Sequence, residues 1–290
     1  MKPAAFDYHA PSTVEEALSL LAEYGDESKP LAGGQSLIPT MNFRLAQPAV
    51  LVDLNGIDGL VGIDATADGV RIGAMTRQRD VERSAVVAER APLVTEALPF
   101  VAHPQIRNRG TFGGNLAHAE PGSELPAVVR ALGARMVVRS VRGERRIDAD
   151  DFYTGLFETA LEPDELLVAV ELPSPTARTG HGFEEFSRRH GDYALAGAAV
   201  TVTLDGTGRV EAARIGLFSV GPGPMRATTA EAALEGHEPT AEALAHCAGL
   251  AAEEDIEPST DIHASEAYRR HLTRVLTTRV LGHAVERAGR

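Results

Sequence analysis

Leu31-Ala32-Gly33-Gly34-Gln35-Ser36-Leu37-Ile38-Pro39 and, further along, Ile106-Arg107-Asn108-Arg109-Gly110-Thr111-Phe112-Gly113-Gly114-Asn115-Leu116 are the two stretches from which the rest of the chain can be read. Each carries a Gly-Gly pair, and consecutive residues without a Cβ let backbone N–H groups approach an anion closely. Gln35 and Ser36 follow the first pair, while Thr111 precedes the second and Asn115 follows it. Hydroxyl and amide groups therefore stand beside the N–H groups in both, and the two loops are expected to carry the same chemical inventory, one suited to a pyrophosphate. Neither is a Rossmann fingerprint, because Gly-x-Gly-x-x-Gly and its strand-helix-strand setting are absent, and neither is a Walker loop. On spacing alone each pair can also be a plain turn, and the class of nucleotide stays open.

Around these loops the pattern alternates strands and helices. Upstream, Ser12 or Thr13 with Glu15 or Glu16 makes a capping box, Val14, Ala17, Leu18 and Leu21 repeat at helical spacing, and Gly25 stops the helix. Ala49 to Leu54, closed by Asn55-Gly56, reads as a strand, as do Leu60 to Ile63 and Gly69 to Ala74. Thr76 to Ala88 and Pro92 to Phe100 read as helices, and the glycine-rich stretch after His103-Pro104 reads as irregular. A helix at Ser123 to Leu132 and strands at Arg135 to Ser140 and Leu166 to Leu172 follow. Pro173 to Gly182 has no apolar period and reads as a linker. Beyond it come strands at Phe183 to Arg188, Tyr193 to Leu204 and Val210 to Val220, with Asp205-Gly206-Thr207-Gly208 as a hairpin turn. The chain then turns helical: Thr228 with Glu231 as a second capping box, Ala241 to Glu254, and a final amphipathic helix marked by Tyr268, Leu272, Val275, Leu276 and Val280.

Composition excludes several classes of function. A formal charge of -13 repels phosphate backbones, and no basic stripe with interleaved aromatics offsets it, so nucleic acid is not an expected partner. No apolar run approaches the ~20 residues that span a bilayer, and the start Met1-Lys2-Pro3-Ala4-Ala5-Phe6-Asp7 lacks the pattern of a secretory signal, which makes the cytoplasm the expected address. The single cysteine, Cys247, sits in an Ala/Leu-rich helical pattern and reads as a core residue without catalytic role. It cannot hold an iron-sulfur cluster or a Cys-based zinc site, and the ten histidines show no His-Glu-x-x-His spacing. No metal ligands are expected on this chain, and any metal redox chemistry belongs to another.

The first loop, followed by Arg44-Leu45-Ala46 and Val52-Asp53-Leu54, the second loop, and the opening Phe6-Asp7-Tyr8-His9-Ala10-Pro11 together resemble the FAD-binding (medium) subunit of molybdenum hydroxylases of the carbon monoxide dehydrogenase and xanthine dehydrogenase type. The resemblance covers nearly the whole chain. It implies an α+β protein: an FAD-binding domain of the vanillyl-alcohol oxidase (PCMH) type over residues 1–175, built of two α/β subdomains (about 1–57 and 58–175), and a C-terminal domain of a small antiparallel sheet and helices over 180–290. It also implies an FAD-dependent electron-transfer component, taking electrons from 2Fe-2S clusters on a small subunit and passing them through FAD to NAD, a quinone or oxygen. Molybdopterin would sit on a large subunit, with the assembly a dimer of heterotrimers. The rival expectation with the same fold is a free-standing FAD-dependent oxidoreductase acting on its own small substrate; a chain whose loops no longer hold nucleotide is disfavoured by Gln35, Ser36, Thr111 and Asn115.

The resemblance also assigns residues. Ala32, Gly33, Gly34, Gln35 and Ser36, flanked by Leu31 and Leu37, and Thr111, Gly113, Gly114 and Asn115, preceded by Gly110, would hold the FAD pyrophosphate. Val101 and Ile106 match positions lining the adenine and ribityl side, and Leu167 a backbone position that meets the adenine. The family's cofactor-bonding aspartate is here Glu124, one methylene longer and equally placed to act as a first-turn acid of a helix capped by Ser123. Tyr193 matches the aromatic that lies against the isoalloxazine, or else a strand residue of the second domain's core. No acid/base pair is assigned, and no catalytic residue is expected.

Overall fold

Helix α1 (Val14–Tyr24) begins on the expected capping box, and it sets the first sheet in place. Thr13 Oγ1 accepts from Glu16 N at 3.2 Å, while Glu16 returns a carboxylate oxygen to Ser12 N at 2.8 Å. Gly25, at φ 48°, ends the helix, and Val14, Ala17, Leu18 and Leu21 are its buried face. The structure, a computed structural model, describes residues 1–290. Strands β1 (Asp7–His9), β2 (Ser28–Leu31) and β3 (Val50–Asp53) make a parallel sheet in the order β1-β3-β2. From β2 the chain passes through the first glycine loop into the short helix α2 (Leu37–Asn42).

A second, antiparallel sheet has the order β4-β5-β10-β6-β7, from β4 (Ile63–Ala65), β5 (Gly69–Gly73), β6 (Arg135–Ser140), β7 (Gly143–Asp148) and β10 (Leu166–Pro173). After β7 comes the one-turn helix α9 (Ala149–Phe152); the polar edge strand β7 and the two-stranded hairpin β8 (Tyr153–Gly155) with β9 (Glu158–Thr159) carry no apolar alternation, which is why the pattern does not announce them. Between β5 and β6 lie α3 (Gln78–Arg83), α4 (Ala85–Arg90), α5 (Pro92–Ala97), α6 (Pro104–Arg107), α7 (Phe112–His118) and α8 (Glu124–Leu132). The single helix expected over Thr76 to Ala88 is thus two, broken at Ser84, whose Oγ accepts from Val87 N at 3.3 Å and starts the second. Leu60 lies in a 3-10 turn, so the strand expected there starts only at Ile63.

The third sheet is antiparallel, β11-β12-β13-β14, from β11 (Thr179–Phe186), β12 (Ala196–Leu204), β13 (Val210–Phe218) and β14 (Met225–Arg226). The hairpin turn forms as read, with Asp205 Oδ1 accepting from Thr207 N at 2.8 Å and Arg209 N at 3.0 Å. Helices α10 (Thr228–Leu234), α11 (Ala241–Glu253) and α12 (Glu266–Ala288) follow. The second capping box does not form. Ala227 is the N-cap of α10, and Glu231 is drawn away to accept from Ile215 N at 2.6 Å and to pair with Arg226. Cys247 is buried, its thiol donating to Ala230 O at 3.2 Å.

One face of the third sheet takes α12 and the other takes α8. Both contacts depend on missing side chains. On β11, Gly180 and Gly182 point the same way, two residues apart. A Cβ on Gly180 would overlap Ala284 O and lie 2.6 Å from Ala288 N, and one on Gly182 would lie 2.5 Å from Val280 O. The backbone of α12 therefore rests directly on the strand. For this reason the expected linker Pro173 to Gly182 is irregular only over 174–178: its glycines are places for a helix to sit, not breaks. On the opposite face Gly216 of β13 meets Ala127 O of α8, and Thr201 Oγ1 donates to Ala131 O at 3.0 Å. One apolar cluster accordingly contains Val70 and Met136 of the second sheet together with Phe183, Ala199 and Phe218 of the third.

Gly180→Ala is expected to destabilise the chain by about 1–3 kcal/mol through overpacking against α12. Gly206→Ala, with nothing within 4 Å of the added methyl, should stay within about 0.5 kcal/mol. Denaturant unfolding of the two variants checks this, and equal midpoints would remove the packing argument.

Candidate functional site

The first loop keeps the character expected of it. Gly34 turns the chain through φ +69°, and the N–H groups of Gly33, Gly34, Gln35, Ser36 and Leu37 find no acceptor within the chain. The loop is half-buried, and a run of N–H groups left unpaired in such a place is a costly arrangement unless something else accepts from them. Gln35 Nε2 folds back on Gly33 O at 3.0 Å, and the Ser36 hydroxyl has no partner. A left-handed residue within consecutive free N–H groups makes an anion-binding concavity.

The second loop departs from the expectation of equal chemistry. Its Gly-Gly pair is not in an irregular stretch but in the first turn of α7, whose N-cap is Thr111. Every N–H there is already used: Phe112 N on Thr76 O at 2.9 Å, Gly113 N on Ala74 O at 2.9 Å, Gly114 N on Thr111 Oγ1 at 3.1 Å and Asn115 N on Thr111 O at 3.2 Å. These glycines serve close packing. A Cβ on Gly113 would come 2.5 Å from Ala74 Cβ, and one on Gly114 3.0 Å from Ala32 Cβ. What this loop presents is side chains: the Thr111 hydroxyl proton, and the Asn115 amide nitrogen, left free because Asn115 Oδ1 takes the Ser123 hydroxyl at 2.9 Å. Ser123 thus serves Asn115, not the N-cap role expected of it at α8.

The two loops touch backbone to backbone, since a Cβ on Gly33 would overlap Arg109 O and lie 2.7 Å from Gly110 Cα. Two residues to which the sequence reading assigned no role hold them. Asn55 Nδ2 donates to Ala32 O at 2.9 Å, while Arg77 donates to Asn55 Oδ1 at 2.7 Å and to Arg109 O at 2.5 Å. Asn55 read only as the end of a strand and Arg77 only as part of a helix. No local pattern marks them, because the Arg77 bonds span 22 and 32 residues. Beneath them Asp53 Oδ1 accepts from Asn55 N at 2.9 Å and Asp53 Oδ2 from the Tyr8 hydroxyl. Those bonds, with the charge of Arg77, hold the Asp53 carboxyl below its usual range against the opposing effect of burial.

The remaining candidates fall into two groups. Leu31 and Leu37 flank the first loop, and Ile106 O accepts from Gly110 N at 2.7 Å at the start of the second. Leu31, Leu37 and Ile106 thus border the paired loops, whereas Leu167, buried on β10 opposite Val138, is linked to the second only through Val168, whose carbonyl accepts from the same Ala74 that takes Gly113. Val101 is set by Arg107, which donates to Val101 O at 2.9 Å and to both oxygens of Glu82. Glu124 and Tyr193 form the other end. Glu124 opens α8, is 3% exposed, and has its carboxyl pushed up to about 7 by burial, with Arg107 opposing. Glu185, on β11, has a buried oxygen without a partner and is pushed up to about 8 by burial and by Glu124. Tyr193 is not in the strand expected there, which begins at Ala196. It sits in the preceding loop, 58% exposed, with its ring across Gly122, whose Cβ would lie 3.2 Å from Tyr193 Cδ1. That arrangement removes the core reading of Tyr193. Ser123 joins the two ends through its bond to Asn115.

With this geometry in place, two family models match the chain: the FAD binding domain in molybdopterin dehydrogenase over residues 4–175, and the CO dehydrogenase flavoprotein C-terminal domain over 181–284. The chain is 42% identical to the 6-hydroxypseudooxynicotine dehydrogenase complex subunit alpha of Paenarthrobacter nicotinovorans, over 99% of this chain and 97% of that one. It is 41% identical to the carbon monoxide dehydrogenase medium chain of Afipia carboxidovorans, over 99% of each. Among solved structures, the carbon monoxide dehydrogenase of Hydrogenophaga pseudoflava lacking the Mo-pyranopterin moiety of its cofactor superposes with a TM-score of 0.96 at 41% identity, covering 99% of both chains.

Proposed function

The chain belongs to the FAD-binding medium subunits of molybdenum hydroxylases of the carbon monoxide dehydrogenase and xanthine dehydrogenase type, and from that premise we propose that it binds FAD by the pyrophosphate at Ala32 to Ser36 and relays electrons from a partner's 2Fe-2S clusters to an external acceptor. It is an FAD-dependent oxidoreductase component. The observation that carries the site is the run of N–H groups from Gly33 to Leu37 with no acceptor in the chain. A pyrophosphate satisfies such a run, and its charge suits the concavity.

In this reading the Thr111 hydroxyl and the Asn115 amide donate from the facing loop, while Gly110, Gly113 and Gly114 let that loop come close. Leu31, Leu37, Val101, Ile106 and the backbone at Leu167 border the adenine and ribityl side. Glu124, whose carboxyl burial pushes up to about 7, would bond the cofactor beside Asn115, and Tyr193 would cover the isoalloxazine from the C-terminal segment. Bound flavin exchanges electrons singly or in pairs, which is the chemistry that joins clusters to an acceptor such as NAD, a quinone or oxygen. The chain's own residues hold it, orient it and screen it from water. Residues 1–175 form the cofactor-holding domain, in subdomains of about 1–57 and 58–175, and 180–290 the domain that brings Tyr193. The complex is a cytoplasmic dimer of heterotrimers with a molybdopterin-binding large subunit and a 2Fe-2S small subunit.

Titration of the purified chain with FAD, followed by flavin fluorescence, tests the reading. One FAD per chain with competition by ADP is expected; no uptake would overturn the site. Purification of the chain from its source is expected to bring a molybdopterin protein and a small cysteine-rich one, whereas substrate turnover by a homomer would overturn the relay role.

A further inference from the structure

We propose that Arg77 is a positioning residue that sets the pyrophosphate site, by locking the two glycine loops together through Asn55 and Arg109. The inference rests on the FAD reading above and adds a determinant to it. Its guanidinium bonds two acceptors at once, Asn55 Oδ1 at 2.7 Å and Arg109 O at 2.5 Å. Asn55 passes the restraint to the first loop by donating to Ala32 O at 2.9 Å. Arg109 lies where the loops meet, its carbonyl against Gly33. The neighbouring backbone adds a second tie, Gln78 N to Gly110 O at 2.9 Å, and Arg77 and Thr111 form a bridge. Arg77 thus spans the seam where the loop with free N–H groups, at Gly33 and Ala32, packs on the loop of Arg109, Gly110 and Gly114.

Two properties suit it to this work. A planar guanidinium holds two acceptors at a fixed separation, which a lysine cannot do. Both of its direct partners are neutral acceptors, so its charge is opposed only by the Asp53 carboxylate, whose pKa it helps to lower. The Asp53 carboxylate is itself occupied by Asn55 and Tyr8, so it orients Asn55 for Arg77. A cation kept beside the loops favours a ligand with two negative charges, while the fork fixes the loop spacing.

The test compares FAD, ADP and riboflavin binding in wild type, Arg77→Met, Arg77→Lys and Asn55→Ala, alongside melting of the FAD-free chains. Arg77→Met is expected to weaken FAD and ADP binding by about 10- to 100-fold, the range for hydrogen bonds that involve a charged group, and to leave riboflavin, which has no pyrophosphate, unchanged. Arg77→Lys should keep part of the affinity through its charge, and Arg77→Met with Asn55→Ala together should cost little more than Arg77→Met alone, as for two residues in one chain of bonds. Melting of the FAD-free chains should hardly move. FAD affinity of Arg77→Met equal to wild type would overturn the proposal, and so would an equal loss for riboflavin or a melting shift that tracks the affinity loss. Failure of the wild type to take up FAD would instead overturn the functional reading on which it stands.

Discussion

Gly33→Ala is expected to abolish stable FAD uptake while leaving the fold intact. The added methyl would overlap Arg109 O and stand 2.7 Å from Gly110 Cα, and both are backbone atoms that no rotamer change can move aside. The loops must separate, and the N–H groups of Gly33 to Leu37 move with them. Losing two such bonds to a charged acceptor at about 1.5–3 kcal/mol each lowers affinity by at least about 100-fold. Fold stability should change less than affinity, because the loop is half-buried and only Ala32 of it packs against an apolar cluster. Gly34→Ala is the milder comparison: its φ of +69° costs an L-residue about 1 kcal/mol, without a backbone collision. Flavin content after purification and melting of the FAD-free chain decide the matter. A Gly33→Ala chain that retains its flavin would mean that the loops are not the site.

The second large effect concerns pH. Glu124 is 3% exposed and titrates near 7 in the folded chain because burial disfavours its ionised form. An unfolded glutamate titrates near its ordinary 4.5. Between those values the folded chain holds a proton that the unfolded chain has released, so stability falls as pH rises through this window and levels off above about 7. The span corresponds to about 3 kcal/mol at most. Glu185 acts with the same sign and carries the decline towards pH 8. The groups facing Glu124 are Arg107 from α6, which lowers its pKa, and Glu185 from β11 and Tyr193 from the loop before β12, whose own titrations it raises. Glu124→Gln keeps the shape and removes the charge. The variant is expected to melt several degrees above wild type at pH 8 and together with it at pH 5, where the carboxyl is already neutral. Parallel melting curves across that range would show that Glu124 is not held neutral by burial.

Where the sequence reading worked, the interaction was short in range. The capping box at Thr13 and Glu16 and the Asp205 to Gly208 turn close within a few residues, so their donors and acceptors are all in view at once. The capping box at Thr228 and Glu231 failed for the opposite reason: Ile215 N and Arg226 compete for the same carboxylate, and Ile215 comes from another strand. Ser123 was taken from its cap in the same way by Asn115. Arg77 and Asn55 were invisible because each is ordinary in its own neighbourhood and acts only across the seam.

By itself, then, the sequence determined that two glycine pairs matter, that the chain alternates strands and helices as its family does, and that no cysteine cluster for redox metal lies on it. What it left to the tertiary structure was the reason for each glycine. A glycine reports that a Cβ cannot be tolerated, and it says nothing of what stands in the Cβ's place. At Gly33 the answer is the backbone of Arg109 and Gly110 in the facing loop, at Gly34 it is the left-handed turn at φ +69°, at Gly113 it is Ala74, and at Gly180 it is Ala284 of the last helix. Those neighbours arrive only when the chain folds. The two loops that looked alike therefore differ, the first leaving its backbone N–H groups without acceptors in the chain and the second packing tightly, with the Thr111 hydroxyl and the Asn115 amide as its free donors.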